Sequence, residues 1–158
     1  MQQTGKRIQV PGRWEIPYHY DIGETSSRFF VELRDNARLM GTKCPHCGRI
    51  LLPPQSFCGR CYVTLKDQLV EVKPEGALEA FTIVTKDYSF TGMPAPPFVI
   101  CLVKMDEAST SIPQRLEGVD TSDPRKVASQ LRPGMRVRAV FHKERRGRID
   151  DFHVELIT

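Results

Sequence analysis

This 158-residue chain contains no run approaching the ~18 consecutive apolar residues that a membrane-crossing helix needs. Its N-terminus, Met1 to Arg7, is polar and lacks the apolar core of a secretory signal. A cytoplasmic, reducing setting is therefore the expectation, and there close cysteine pairs bind metal or do redox chemistry rather than form disulfides. Neither sign of charge dominates: 23 Lys+Arg against 19 Asp+Glu leave a net +4, short of the basic excess of a dedicated nucleic-acid binder. Aromatics are scarce, at 8% with one Trp. They collect at Trp14, Tyr18 and Tyr20 and at Tyr88-Ser89-Phe90 rather than alternating with basic residues along strands, as a nucleic-acid stacking platform requires. Missing too are a phosphate-cradling glycine loop, an HExxH pair and any nucleophile motif beside a histidine. No self-sufficient active site is legible.

Cysteine is the exception to this scarcity. There are five, four of them between positions 44 and 61. Cys44-Pro45-His46-Cys47 and Cys58-Gly59-Arg60-Cys61 make a CxxC–x10–CxxC pattern. Two intervening residues let one tight turn aim both thiolates at one ion, and four thiolates close a tetrahedral shell. Gly48 and Gly59 stand where such knuckles call for positive φ. The pattern predicts a structural zinc ribbon; iron would use the same four ligands. His46 is an exposed knuckle residue in this reading. A redox role is disfavoured because it needs one pair at the start of a helix. Cys101 stands within the apolar run Phe98 to Val103 and is expected to be core.

Residues 1–22 form an arm in which Trp14, Ile16, Tyr18 and Tyr20 alternate. It suits packing on its own domain or on a partner, where aromatics serve as anchors. From Thr25 to Met40 the spacing of Phe30, Leu33, Ala37 and Met40 predicts an amphipathic helix stopped by Gly41. The neighbouring ribbon, the main domain or a partner chain could cover its stripe. Beyond Gly76 the reading is all-β: strands at 77–85, 98–105, 137–141 and 152–156, and a weaker one near 112–119 that Pro113 pushes toward an edge. Asp123 and Pro124 begin a short helix before the last strand pair. The fold expected is mainly β with an N-terminal helix: an arm and helix over 1–41, a rubredoxin-like zinc ribbon over 42–75 and an OB-fold barrel over 76–158. An incomplete sandwich is the alternative.

Seven cations, Arg132, Arg136, Arg138, Lys143, Arg145, Arg146 and Arg148, crowd 17 residues with one acid, Glu144. They suit a solvated strand face and hairpin tip, or a surface for phosphates, an acidic partner or nucleic acid. The adjacent acids Asp106-Glu107 and Asp150-Asp151 are expected to be solvated.

The order of these parts resembles a known family. A helix leads to a ribbon with Pro53-Pro54 before its second knuckle, then to Gly76-Ala77-Leu78-Glu79-Ala80-Phe81-Thr82 and an apolar strand ending at Asp106-Glu107. Gly118-Val119-Asp120 and Leu131-Arg132-Pro133-Gly134-Met135-Arg136-Val137 follow. Over roughly residues 25–142 the chain resembles the zinc-ribbon/OB-fold proteins that accompany thiolase-like enzymes. One branch is the small subunit of benzoylsuccinyl-CoA thiolase in anaerobic toluene degradation, which the size and layout resemble. The resemblance implies a non-catalytic accessory subunit carrying one structural Zn2+. It would bind a thiolase, aldolase or synthase chain that supplies the catalytic residues, and would help to form the acyl-CoA site. On that reading the helix and arm dock on the partner, the loop 87–97 reaches the acyl-CoA entrance, Phe90 and Met93 touch pantetheine or acyl group, and Arg60 or the basic run lies near phosphates. The long aromatic arm and the polar stretch 109–115 depart from the family pattern. The competing readings are a single-stranded nucleic-acid binder and a free-standing acyl-CoA carrier.

Overall fold

The computed structural model describes residues 16–87 and 94–157. Helix α1 spans Glu24–Asn36 and ends earlier than the periodicity suggests. Ala37 turns left-handed (φ 52°, ψ 45°), and the Arg38 N–H reaches back to the Glu32 carbonyl at 3.3 Å. The buried face is Thr25, Phe29 and Leu33, so the expected stripe shares only Leu33 with it; Phe30 lies at its margin. The reason is competition for the following residues. Leu39–Lys43 forms β1, paired on one side with β2 (Ile50–Leu51) and on the other with β5 (Leu69–Val72). Two ladders of backbone hydrogen bonds outweigh one further helical turn. Gly41 is thus no helix stop. It lies in mid-strand, where an added Cβ would come within 2.8 Å of Ile50 Cγ2 and 3.0 Å of the Leu51 carbonyl.

The three-stranded sheet β2-β1-β5 and a small hairpin, β3 (Phe57–Cys58) with β4 (Val63–Thr64), make the ribbon. The remaining strands close into a barrel of order β10-β8-β7-β6-β9: β6 Glu75–Val84, β7 Phe98–Met105, β8 Ile112–Glu117, β9 Arg136–Phe141 and β10 Phe152–Leu156. Strand β6 serves two partners, β9 through its first residues and β7 along its length, with a bulge between Leu78 and Ala80. Such a bulge supplies the bend that a small closed barrel needs. With α2 (Pro124–Gln130) between the third and fourth barrel strands, this is the expected OB layout. The Asp123 carboxylate caps α2, accepting from the N–H groups of Arg125 (3.0 Å) and Lys126 (3.3 Å). Pro113 is accommodated because β10 joins β8 only at Leu116 and Glu117, leaving the proline beside β7 alone.

One core runs through all three parts. Phe29 and Leu33 of α1 and Leu39, Leu52 and Val72 of the ribbon belong to the cluster that fills the barrel. The helix therefore buries its stripe within its own chain. The polar stretch 109–115 does the stitching. Ser109 N–H donates to the Ile50 carbonyl (2.7 Å) and Ser109 Oγ accepts from Ile50 N–H (3.2 Å). Thr110 Oγ1 accepts from Leu52 N–H (2.7 Å) and donates to the Leu52 carbonyl (2.8 Å). The β7–β8 loop thus satisfies the outer edge of β2 and pins ribbon to barrel.

Candidate metal centre and docking face

The four Sγ atoms of Cys44, Cys47, Cys58 and Cys61 converge, each within 4.8 Å of the others, with Cys47 and Cys58 at 3.9 Å. Each pair sits on a turn built the same way. Gly48 N–H bonds the Cys44 carbonyl (2.9 Å), and Tyr62 N–H bonds the Cys58 carbonyl (2.8 Å). Gly48 (φ 71°) and Tyr62 (φ 57°), each four residues past its first cysteine, are the left-handed positions. Gly48 meets the expectation; Gly59 does not, because the second turn reverses at Tyr62 instead. A non-glycine residue there carries strain on the order of 1–2 kcal/mol.

The packing beneath is thin. Apart from Cys44 and Cys58, the ribbon's separate buried cluster holds only Leu51 and Leu65, too little to hold four thiols together unaided. Charge points the same way. The backbone N–H of Arg49 holds the Cys47 thiol below its ordinary value, while the neighbouring Cys47, with burial and Cys44, pushes Cys61 up to about 12. Four thiolates at neutral pH thus require a cation among them. A tetrathiolate set is soft and closed, the chemistry of a structural zinc. A bound ion would cross-link the two turns and leave no position for substrate.

The other sequence candidates scatter. Arg60 is exposed at the tip of the second knuckle. Phe90 and Met93 lie outside the described residues, as does Trp14. Cys101 is buried, its Sγ 3.3 Å from the Gln114 carbonyl, and burial pushes its thiol up to about 12. It is core, as expected.

The basic run is less free than its composition suggests. Arg136 forms a two-pronged pair with Asp106 (2.5 and 2.6 Å). That guanidinium holds the Asp106 carboxyl below the usual range. Arg148 pairs with Asp150 at 2.9 Å. Arg145 donates to the carbonyls of Arg34 (2.9 Å) and His142 (2.7 Å), tying the β9–β10 loop to the end of α1. The expectation of solvated acids fails at Asp151. It is 4% exposed and accepts from the backbone N–H groups of Arg146 (2.9 Å), Gly147 (2.7 Å) and Arg148 (3.0 Å). Burial raises its pKa, but those three donors outweigh it and the net direction is down. Its partners are the basic run's own backbone, so neighbouring charge hid this role in the sequence.

Ahead of α1, Ile16, Tyr18 and Tyr20 are 65%, 75% and 73% exposed. The two tyrosine rings lie 5.9 Å apart. Ile22 and Val31 are exposed as well. A groove of about 400 Å³ along α1 is lined by Glu24, Ser27, Arg28, Val31 and Glu32 of the helix, with Met40 and Leu69. Among the described residues, no helix is long and apolar enough to cross a membrane.

Two family models match the chain: the rubredoxin-like zinc ribbon domain of ChsH2 over residues 32–65 and the C-terminal OB-fold domain of ChsH2 over residues 69–142. No curated protein matches. The fold recurs among solved structures, two of them matching over most of this chain. A DUF35-family protein of unknown function from Sulfolobus solfataricus is 24% identical, with 85% of this chain and 87% of that one covered and a TM-score of 0.62. The other is described as an Ltp2–ChsH2(DUF35) aldolase; the likeness is 18% identical, covers 87% of this chain and 97% of that one, and has a TM-score of 0.62. With ribbon and barrel matched in order over more than half of its length, the chain belongs to the ChsH2 zinc-ribbon/OB-fold family.

Proposed function

We propose that this protein is a non-catalytic, zinc-binding accessory subunit of a cytoplasmic thiolase-type complex, which helps to form the acyl-CoA site while its partner supplies the catalytic residues. The observation that carries the reading is the exposure of Ile16, Tyr18, Tyr20 and Ile22 ahead of α1 and of Val31, which lines the α1 groove. α1 spends its own buried face inside the chain, so these exposed side chains remain for another protein; large aromatics in such a position serve as interface anchors. A ChsH2-type relative solved in a two-protein aldolase supports the same arrangement. The reaction class is CoA-dependent cleavage or formation of a C–C bond, with benzoylsuccinyl-CoA thiolysis as its specific form. Cys44, Cys47, Cys58 and Cys61 hold the structural ion. In this proposal Arg60 contacts CoA phosphates, and Phe90 and Met93 contact the pantetheine or acyl group.

The test is reconstitution with a candidate thiolase-type partner chain. The complex turns over an acyl-CoA, this chain alone does not, and Arg60→Ala and Phe90→Ala each raise the acyl-CoA KM. An unchanged KM in both variants refutes the contact assignments. Turnover by the isolated chain refutes the accessory role.

A further inference from the structure

A second convergence of metal-ligating side chains lies on the outer face of the barrel, on elements distinct from the ribbon. Strand pairing builds it from three distant parts of the sequence. On β10, His153 and Glu155 stand two apart and so share a face. The parallel pairing with β8 sets Glu155 opposite Glu117. The antiparallel pairing with β9 sets His153 opposite Val140, which brings His142, two residues on, to the diagonal position on that face. One ligating atom from each of Glu117, His142 and His153 lies within 4.8 Å of the other two. The imidazole rings of His142 and His153 are 5.0 Å apart between centroids.

The hydrogen bonds around His153 say what is missing. The residue is 7% exposed, and its Nδ1 is a buried nitrogen with no hydrogen-bond partner. Such an orphan costs roughly 1–3 kcal/mol unless something satisfies it. On the other side of the ring, Nε2 lies 3.3 Å from Glu155 Oε1. A carboxylate can only accept, so in the tautomer that satisfies this contact Nε2 carries the proton and Nδ1 is left as an acceptor. Facing it at 3.7 Å is Glu117 Oε2, a second acceptor. Glu117 is aimed by its other oxygen, since Arg115 holds Oε1 at 2.6 Å. Two acceptors facing each other at 3.7 Å are too far apart to share a hydrogen bond. They are close to the ~3.3–3.6 Å separation of two ligands on one tetrahedral ion with bonds of ~2.0–2.2 Å.

From this geometry we propose a second metal site, in which Nδ1 of His153, a ring nitrogen of His142 and Oε2 of Glu117 bind one divalent transition cation. Two imidazoles and a carboxylate suit Zn2+, Ni2+, Co2+ or Fe2+ rather than Mg2+ or Ca2+. Glu155 is the positioning residue: the carboxylate–imidazole–metal arrangement fixes the tautomer and ring orientation of a ligating histidine. Three protein ligands leave a fourth position for water or for a donor from outside the chain. This separates the site from the closed tetrathiolate of the ribbon.

Zinc-loaded full-length protein, holding one equivalent by elemental analysis, is titrated calorimetrically with Zn2+ and, separately, with Ni2+. One further equivalent is expected for each. His142→Gln and His153→Gln each abolish it, and Glu155→Gln weakens it about 10–100-fold. All three variants keep the ribbon's zinc. Imidazole nitrogen NMR gives a reading that folding defects do not mimic: in the wild-type chain Nδ1 of His153 is unprotonated and shifts on metal addition. No further equivalent, uptake that survives both histidine substitutions, or an Nδ1 that is protonated and indifferent to metal overturns the site. The last result would leave a plain histidinium–Glu117 pair.

Discussion

Replacing Asp151 with Asn keeps the shape of the side chain and removes its charge. The carboxylate holds three backbone N–H groups in the β9–β10 loop, one on Oδ1 and two on Oδ2. An amide has one accepting oxygen. In its better orientation that oxygen keeps Gly147 and Arg148, while the amide NH2 is turned against the Arg146 N–H. Hydrogen bonds to a charged acceptor contribute about 1.5–3 kcal/mol each, and a buried donor left unsatisfied costs about 1–3 kcal/mol. Losing one and weakening two predicts a destabilisation of about 2–4 kcal/mol at neutral pH, read as the change in urea-unfolding free energy of zinc-loaded protein. The pH dependence has a definite sign. The folded carboxyl titrates below its ordinary value of about 3.9. Its contribution is therefore complete above that value and disappears as pH falls through the folded pKa. The wild-type and Asp151→Asn stabilities should converge in acid. The consequence reaches α1, because an added Cβ at Gly147 would lie 3.4 Å from the Phe30 carbonyl and Arg145 bonds the Arg34 carbonyl. A loosened loop thus weakens its hold on α1. A loss below about 0.5 kcal/mol, or a gap that stays constant into acid, would refute the reasoning.

Three further outcomes follow from particular contacts. Thr110→Val keeps the volume but strands the N–H and carbonyl of Leu52; a loss of about 1–3 kcal/mol in urea unfolding is expected, together with faster amide exchange in β2 than in the barrel. Gly76→Ala drives a Cβ against the Lys104 carbonyl and to 2.8 Å from Met105 Cα, backbone that cannot rotate away, and should cost about 1–3 kcal/mol or more by the same measurement. Cys58→Ser should remove the tightly held ion, seen as less than one zinc per chain by elemental analysis. Protease sensitivity should then appear within residues 44–65 before the barrel, whose core does not include that small cluster.

What the sequence disclosed was local. The cysteine spacing announced a four-ligand turn pair because a CxxC needs only its own few residues. Asp123-Pro124 announced α2 because a cap bonds within one turn. Cys101 was legible as core from the apolar residues on either side. What was hidden depends on partners far along the chain. The helical period continued past Asn36, but β2 and β5 claim Leu39–Lys43. Ser109 and Thr110 looked like an anomalous polar stretch until Ile50 and Leu52 were beside them. The donors on Asp151 are peptide groups, which no side-chain pattern announces. Glu117, His142 and His153 are separate in sequence and meet only through the barrel's strand pairing.

The central claim is that this chain works bound to another. It is tested most directly by mixing the zinc-loaded chain with a candidate thiolase-type partner chain and measuring the mass of the eluting species by light scattering. The account predicts one stable hetero-oligomer, dissociated when Tyr18 and Tyr20 are both replaced by Ser while the zinc content of the variant stays at one. Two separate species from the wild-type chains would contradict it, as would a complex indifferent to the tyrosines.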